Sequence, residues 1–164
     1  MALTFKKLTG VNSAEWSALR LEGARDYPLG FLITEADVLG VSEDQARATL
    51  DSGVYYGVFD GETLVGFCGL RPQQLERVRH RAEIGPFFVK GSHHGTGAAS
   101  RLMAGIIDEA RSIGIEQLEL FVDTENHRAI GFYEKQGFER IAMHPDGVRI
   151  DGVSRNDYFY ILKL

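Results

Sequence analysis

The chain has a single cysteine, Cys68, among 164 residues. A lone thiol cannot close an internal disulfide, so the expected setting is a reducing compartment, the cytoplasm. Cys68 lies in the apolar run TLVGFCGL and reads as a core thiol rather than a nucleophile. No apolar run approaches bilayer-spanning length, and that in MALTFKKLTG is too short for a secretory signal. An excess of positive charge is also missing: 18 Lys and Arg stand against 23 Asp and Glu, a formal net charge of −5. That balance argues against a broad nucleic-acid surface. With no repeat, low-complexity tract or linker, residues 1–164 are expected to form one domain. No Cys/His/carboxylate spacing suits a metal, and the adjacent His93 and His94 are poorly placed to point at one ion.

What is present alternates between helix and strand signals. LTFKKL reads as a first strand, and SAEWSALRLEGARDYP as a helix with Ser13 at its N-cap and Pro28 at its end. Ser42 and Gln45 have capping-box spacing, opening a second short helix that runs to about Leu50. Two apolar runs around Asp60-Gly61 predict a β-hairpin. HRAEIGPFFVK is a strand interrupted by Pro86, which cannot donate to a ladder; the strand must be an edge, carry a bulge or splay there. AASRLMAGIIDEARSIG is a helix, IEQLELFVD a strand, NHRAIGFYEKQ a helix ended by Gly137, and FERIAM and YFYILKL the last strands. HPDGVRIDGVSR between them reads as a loop. The expected class is α/β, with a central sheet antiparallel early and mixed late, flanked by helices.

Between the Pro86 strand and the long helix lies VKGSHHGTGAASRLM. The first amides of a helix lack intrahelical acceptors and carry partial positive charge. Small residues at Gly95, Gly97, Ala98 and Ala99 let an anion approach them, which suits a phosphate or pyrophosphate; a plain structural turn is the competing explanation. A P-loop would need Gly-Lys-Ser/Thr, which is absent. A Rossmann fingerprint would want a third small residue at Ser100 and an acid some twenty positions on. Glu119 is tempting, but the early antiparallel hairpin does not fit.

Two segments together resemble the GNAT family of acetyl-CoA-dependent N-acetyltransferases. His94-Gly95-Thr96-Gly97-Ala98-Ala99 is similar to its Gln/Arg-x-x-Gly-x-Gly/Ala phosphate loop, with histidine replacing the usual first residue. NHRAIGFYEKQGF, Asn126 to Phe138, resembles its Asn-x-x-Ala-x-x-Phe-Tyr-x-Lys-x-Gly-Phe segment at each of those positions. The resemblance implies a mixed sheet with strands splayed around an acetyl-CoA site, no metal, and a small-molecule or peptide amine as acceptor. The loop His94 to Ser100 would hold the pyrophosphate through its amides. Phe87, Phe88 and Val89 would offer backbone to the pantetheine arm, and Asn126 would cap its helix, donate to that arm, or both. Folds of this kind often pair their final strands between subunits, leaving a homodimer open.

Acetyl transfer needs a base, because an alkylamine with a pKa of roughly 10 is mostly protonated at neutral pH. It also needs oxyanion donors and a proton for the departing thiolate. Glu83, eleven residues ahead of His94 in RAEIGPFF, resembles the strand glutamate of the family's histone acetyltransferases and is the first candidate base. A surface ion pair beside His80 and Arg81 is its competing role, and Asp123 is the substitute. With unbroken alternation Glu83 shares a face with Gly85, Phe87 and Val89. Tyr133 is the candidate acid by its place in the second motif; its alternative is a core aromatic. A non-catalytic acyl-CoA-binding module would keep the loop without needing both Glu83 and Tyr133, and nicotinamide-dependent reduction would instead require NAD binding.

Overall fold

The structure, a computed structural model, describes residues 2–164. A seven-stranded sheet runs β1-β2-β3-β4-β5-β7-β6. Its strands are β1 Leu3–Lys7, β2 Tyr55–Asp60, β3 Thr63–Pro72, β4 Arg81–Val89, β5 Gln117–Asp123, β6 Glu139–Ile150 and β7 Val153–Lys163. Neighbours are antiparallel except β4 and β5. The helices are α1 Ser13–Asp26, α2 Glu35–Leu39, α3 Glu43–Asp51, α4 Ala98–Ser112 and α5 His127–Lys135. Leu102, Met103 and Ile106 of α4 and Ile130 of α5 pack on one sheet face with Val58, Cys68, Leu70 and Leu118. Trp16 and Leu19 of α1 and Leu50 of α3 pack on the other with Phe67 and Phe88. Burying both faces makes three layers, α/β/α, the mixed-sheet class expected.

Local signals behave largely as read. Ser42 accepts from the Gln45 amide at 3.1 Å and the Gln45 side chain returns the bond. Gly61 turns the β2–β3 hairpin at φ 61°. Three readings change. Ser13 is already helical and buried, and Asn12 is the residue ahead of it. A one-turn helix, α2, is added, boxed by Thr34 and Asp37. HPDGVRIDGVSR is no loop: β6 runs on to Ile150 and turns at Asp151-Gly152 into β7. Its Pro and Gly fall in a bulge, where 145–147 stand opposite Asn156 and the Asp146 amide donates to the Asn156 side chain at 3.0 Å. Turn chemistry thus bends a ladder instead of ending it.

Pro86 sits in a central strand, and two of the three accommodations occur together. Across β3–β4, Cys68 pairs with Phe87 and Leu70 with Ile84, so Gly69 alone opposes Gly85-Pro86. On its other side β4 pairs with β5 only from Arg81–Gln117 to Glu83–Glu119. Beyond that point β4 stays with β3, β5 stays with β7, and a gap opens between them. The extra residue also breaks the alternation. Phe87 and Val89 join Ile84 on the α4 face, whereas Glu83 lies with Arg71, Phe67 and Phe88 on the α1 face.

Candidate active site

Two cavities meet at the gap. One, about 570 Å3, is lined by Phe87, Phe88 and Val89, by His94, Gly95, Gly97, Ala99 and Ser100, and by Asn126, Phe132 and Tyr133. The other, about 460 Å3, is lined by Glu83, Arg71, Arg20, Asp123, Asp157 and His144 among others. Phe87, Asn126, Ala129 and Tyr133 belong to both walls, as does the turn at Pro28–Gly30.

The glycine loop is built by backbone conformation. Gly95 and Gly97 have φ of 76° and 88°, the left-handed region, and Gly97 is the N-cap of α4. No side chain caps that helix, so its first amides remain for a ligand. A Cβ on either glycine would meet nothing within 4 Å; here φ requires glycine, not lack of room. His94 turns inward: its Nε2 donates to the Val89 carbonyl at 2.8 Å and its ring meets Tyr27 edge-on. His93 instead contacts Asp60 at 3.0 Å, so the two histidines diverge. Thr96 donates to the His93 carbonyl at 2.6 Å, and Ala98 is fully buried in the core; neither lines the cavity.

Asn126 caps α5, accepting from the Ala129 amide at 3.3 Å, and lines both cavities. Tyr133, 8% exposed, stands edge-on to Phe87 and Phe138. Burial, with a smaller contribution from the nearby Cys68, raises its pKa, so the phenol keeps its proton. No side-chain hydrogen bond among the described residues engages its hydroxyl. Cys68 lies in the core, its thiol pushed up to about 12 by burial, and lines neither cavity.

Glu83 has a half-exposed side chain, 3.5 Å from Arg71 and not paired with Arg81, which binds Glu119 at 3.1 Å. Asp123 is buried; Arg155 donates to it at 2.5 and 2.9 Å and the Glu125 amide at 2.9 Å. Burial pushes its pKa up, but these donors more than compensate and hold it low, making it a weak proton acceptor. Sequence reading missed Asp157, His144, Arg71 and Arg20. Asp157 is 8% exposed, with His144 3.9 Å away and Gly147 closing over it; a Cβ there would lie 2.5 Å from the carboxylate. Burial raises the Asp157 pKa, Asp123 adds to this, and His144 opposes it. These residues are far apart in sequence and only the sheet order brings them together.

Residues 16–138 match the Acetyltransferase (GNAT) family. A mycothiol acetyltransferase of Brachybacterium faecium is 29% identical over 124 residues, covering 76% of this chain and 37% of that protein. The N-alpha-acetyltransferase RimI of Mycobacterium tuberculosis is 31% identical over 102 residues, 60% of each chain. This chain thus spans less than two thirds of either relative. A Salmonella typhimurium protein solved with its cofactor acetyl-CoA superimposes with TM-score 0.86 at 18% identity, covering 100% of this chain and 95% of that one. No helix among the described residues is long and apolar enough to cross a membrane. The family match takes in the glycine loop, the parted strands and the Asn126–Phe138 segment: this chain belongs to the Acetyltransferase (GNAT) family.

Proposed function

We propose that residues 1–164 act as one domain that moves an acetyl group from acetyl-CoA to a primary amine by direct attack in a ternary complex. The observation that carries this is Tyr133, which lines both the cavity under the glycine loop and the cavity holding Glu83. The thioester supplies the acetyl group. The amides at the start of α4 would hold the pyrophosphate, and backbone of Phe87–Val89, freed by the β4–β5 gap, would pair with the pantetheine arm. In the second cavity Glu83 would take the proton from the amine, directly or through water. A C–N bond forms, the C–S bond breaks, and Tyr133 gives its proton to the sulfur. Burial keeps the Tyr133 phenol in its protonated form, the form that carries a proton to give.

The relatives' names point to different acceptors, so the acceptor follows from this chain's own cavity. A homodimer through the final strands belongs to the same proposal, since β6 is an edge strand exposing Ile141 and Met143. Thiol release from acetyl-CoA across an amine panel tests the central reading. Amine-dependent thiol with matching N-acetyl product is expected; binding of acetyl-CoA without thiol release from any amine would make the chain a non-catalytic binding module.

A further inference from the structure

The second cavity contains more charge than it pairs. Its lining includes the guanidiniums of Arg20 and Arg71, the imidazole of His144 and the carboxylates Glu83, Asp123 and Asp157. Arg71 is committed to Glu83 at 3.5 Å and to the Gly85 carbonyl. Asp123 is committed to Arg155. His144 and Asp157 approach only to 3.9 Å, beyond hydrogen-bond range. Arg20 has no carboxylate and no hydrogen-bond acceptor among the described residues. Its guanidinium lies over the Trp16 ring, 4.3 Å from the centroid. With no acceptor bound, its N–H groups are available, and a guanidinium can grip a carboxylate with two parallel bonds. Burial also lowers the Arg20 pKa, with Tyr55 the opposing influence, as expected of a cation with no full counter-charge.

The cavity is therefore bipolar once its internal pairs are set aside: a guanidinium from α1 and a nearly buried carboxylate from β7 remain. An amine without an acid group would answer Asp157 and leave Arg20 uncompensated. We propose that the acceptor is a small molecule of amino-acid type, with Arg20 binding its carboxylate while its amine lies on the Asp157 and Glu83 side. This rests on the acetyl-transfer reading above and assigns the acceptor class of that same site. The cavity volume of about 460 Å3 suits such a ligand.

The test uses the intact chain with matched acceptors: free amino acids, their methyl esters and the corresponding decarboxylated amines. The free acid should be favoured in kcat/KM by roughly tenfold to a hundredfold, the range for a charge-assisted hydrogen-bonded pair. In Arg20→Gln that ratio should fall towards one, with the loss carried by KM. Arg20→Lys, which keeps charge but not the planar fork, should retain part of the preference. Equal use of acids and esters by the unmodified chain, or an unchanged ratio in Arg20→Gln, would overturn the amino-acid assignment while leaving acetyl transfer standing. Absence of thiol release with every amine would overturn both.

Discussion

Asp123 on β5 and Asp157 on β7 stand opposite each other across the ladder, yet of the two only Asp123 is gripped by Arg155, which also pairs with Glu125. The two carboxylates differ in proton affinity: Arg155 holds Asp123 low against its burial, while burial raises Asp157. One serves as a fixed anion in the wall; the other faces the smaller cavity with His144 3.9 Å away.

Asp157→Asn should be at least as stable as the parent at pH 7 and yet bind its acceptor worse, with KM up by roughly tenfold. The pKa of Asp157 is raised on folding, so its ionisation penalises the fold. The penalty is absent below the ordinary carboxylate value of about 4 and grows as pH rises towards the folded value. Urea unfolding at pH 3 and pH 7 should show the variant matching the parent at pH 3 and equalling or exceeding it at pH 7.

Arg155→Met should behave in the opposite way. It leaves Asp123 without its two side-chain bonds and should destabilise the fold at pH 7. Asp123 has a depressed folded pKa, so the stability its pairing contributes is present above the unfolded value and lost as pH falls through the folded one. The gap between variant and parent should therefore narrow on acidification, read by the same unfolding curves.

Tyr133→Phe removes a proton donor from a hydrophobic site without opening a cavity. Turnover should fall about a hundredfold while the acetyl-CoA Kd stays within about twofold. Steady-state rates beside calorimetry check this; a fully active variant would remove Tyr133 from the acid role.

Glu83→Gln should lower kcat/KM by roughly a hundredfold or more, read from steady-state rates. An unchanged kcat/KM would transfer the base role to Asp157 or to solvent.

Gly97→Ala places a Cβ at φ 88° and should cost about 1–2 kcal/mol together with acetyl-CoA affinity. Gly131→Ala in α5, with open space around it, is the contrast and should stabilise by about 1 kcal/mol. Thermal shifts with and without acetyl-CoA separate the two.

Features encoded by neighbouring residues were the ones legible in the sequence. The glycine loop, the Asn126 cap, the Ser42 box and the discontinuity at Pro86 each depend on a few consecutive positions. Long-range pairing was not legible: nothing in NDYFYILKL says that Asp157 will meet Asp123, or that Arg20 from α1 will reach the same cavity. Local chemistry also misled where the ladder overrode it, as at Pro145–Gly147, which signals a turn and forms a bulge. The Glu83 alternation failed for a related reason: Pro86 announces an irregularity but not that it spans two residues against one.

That two-for-one offset divides labour along a single strand. Upstream of it, Glu83 lies on the α1 face of the sheet; downstream, Phe87 and Val89 lie on the α4 face. Under the acetyl-transfer proposal, exchanging residues on the near side would retune acceptor choice while leaving the downstream backbone in place. Deleting either member of the Gly85-Pro86 pair would instead turn the downstream side chains over, moving each to the opposite face of the sheet.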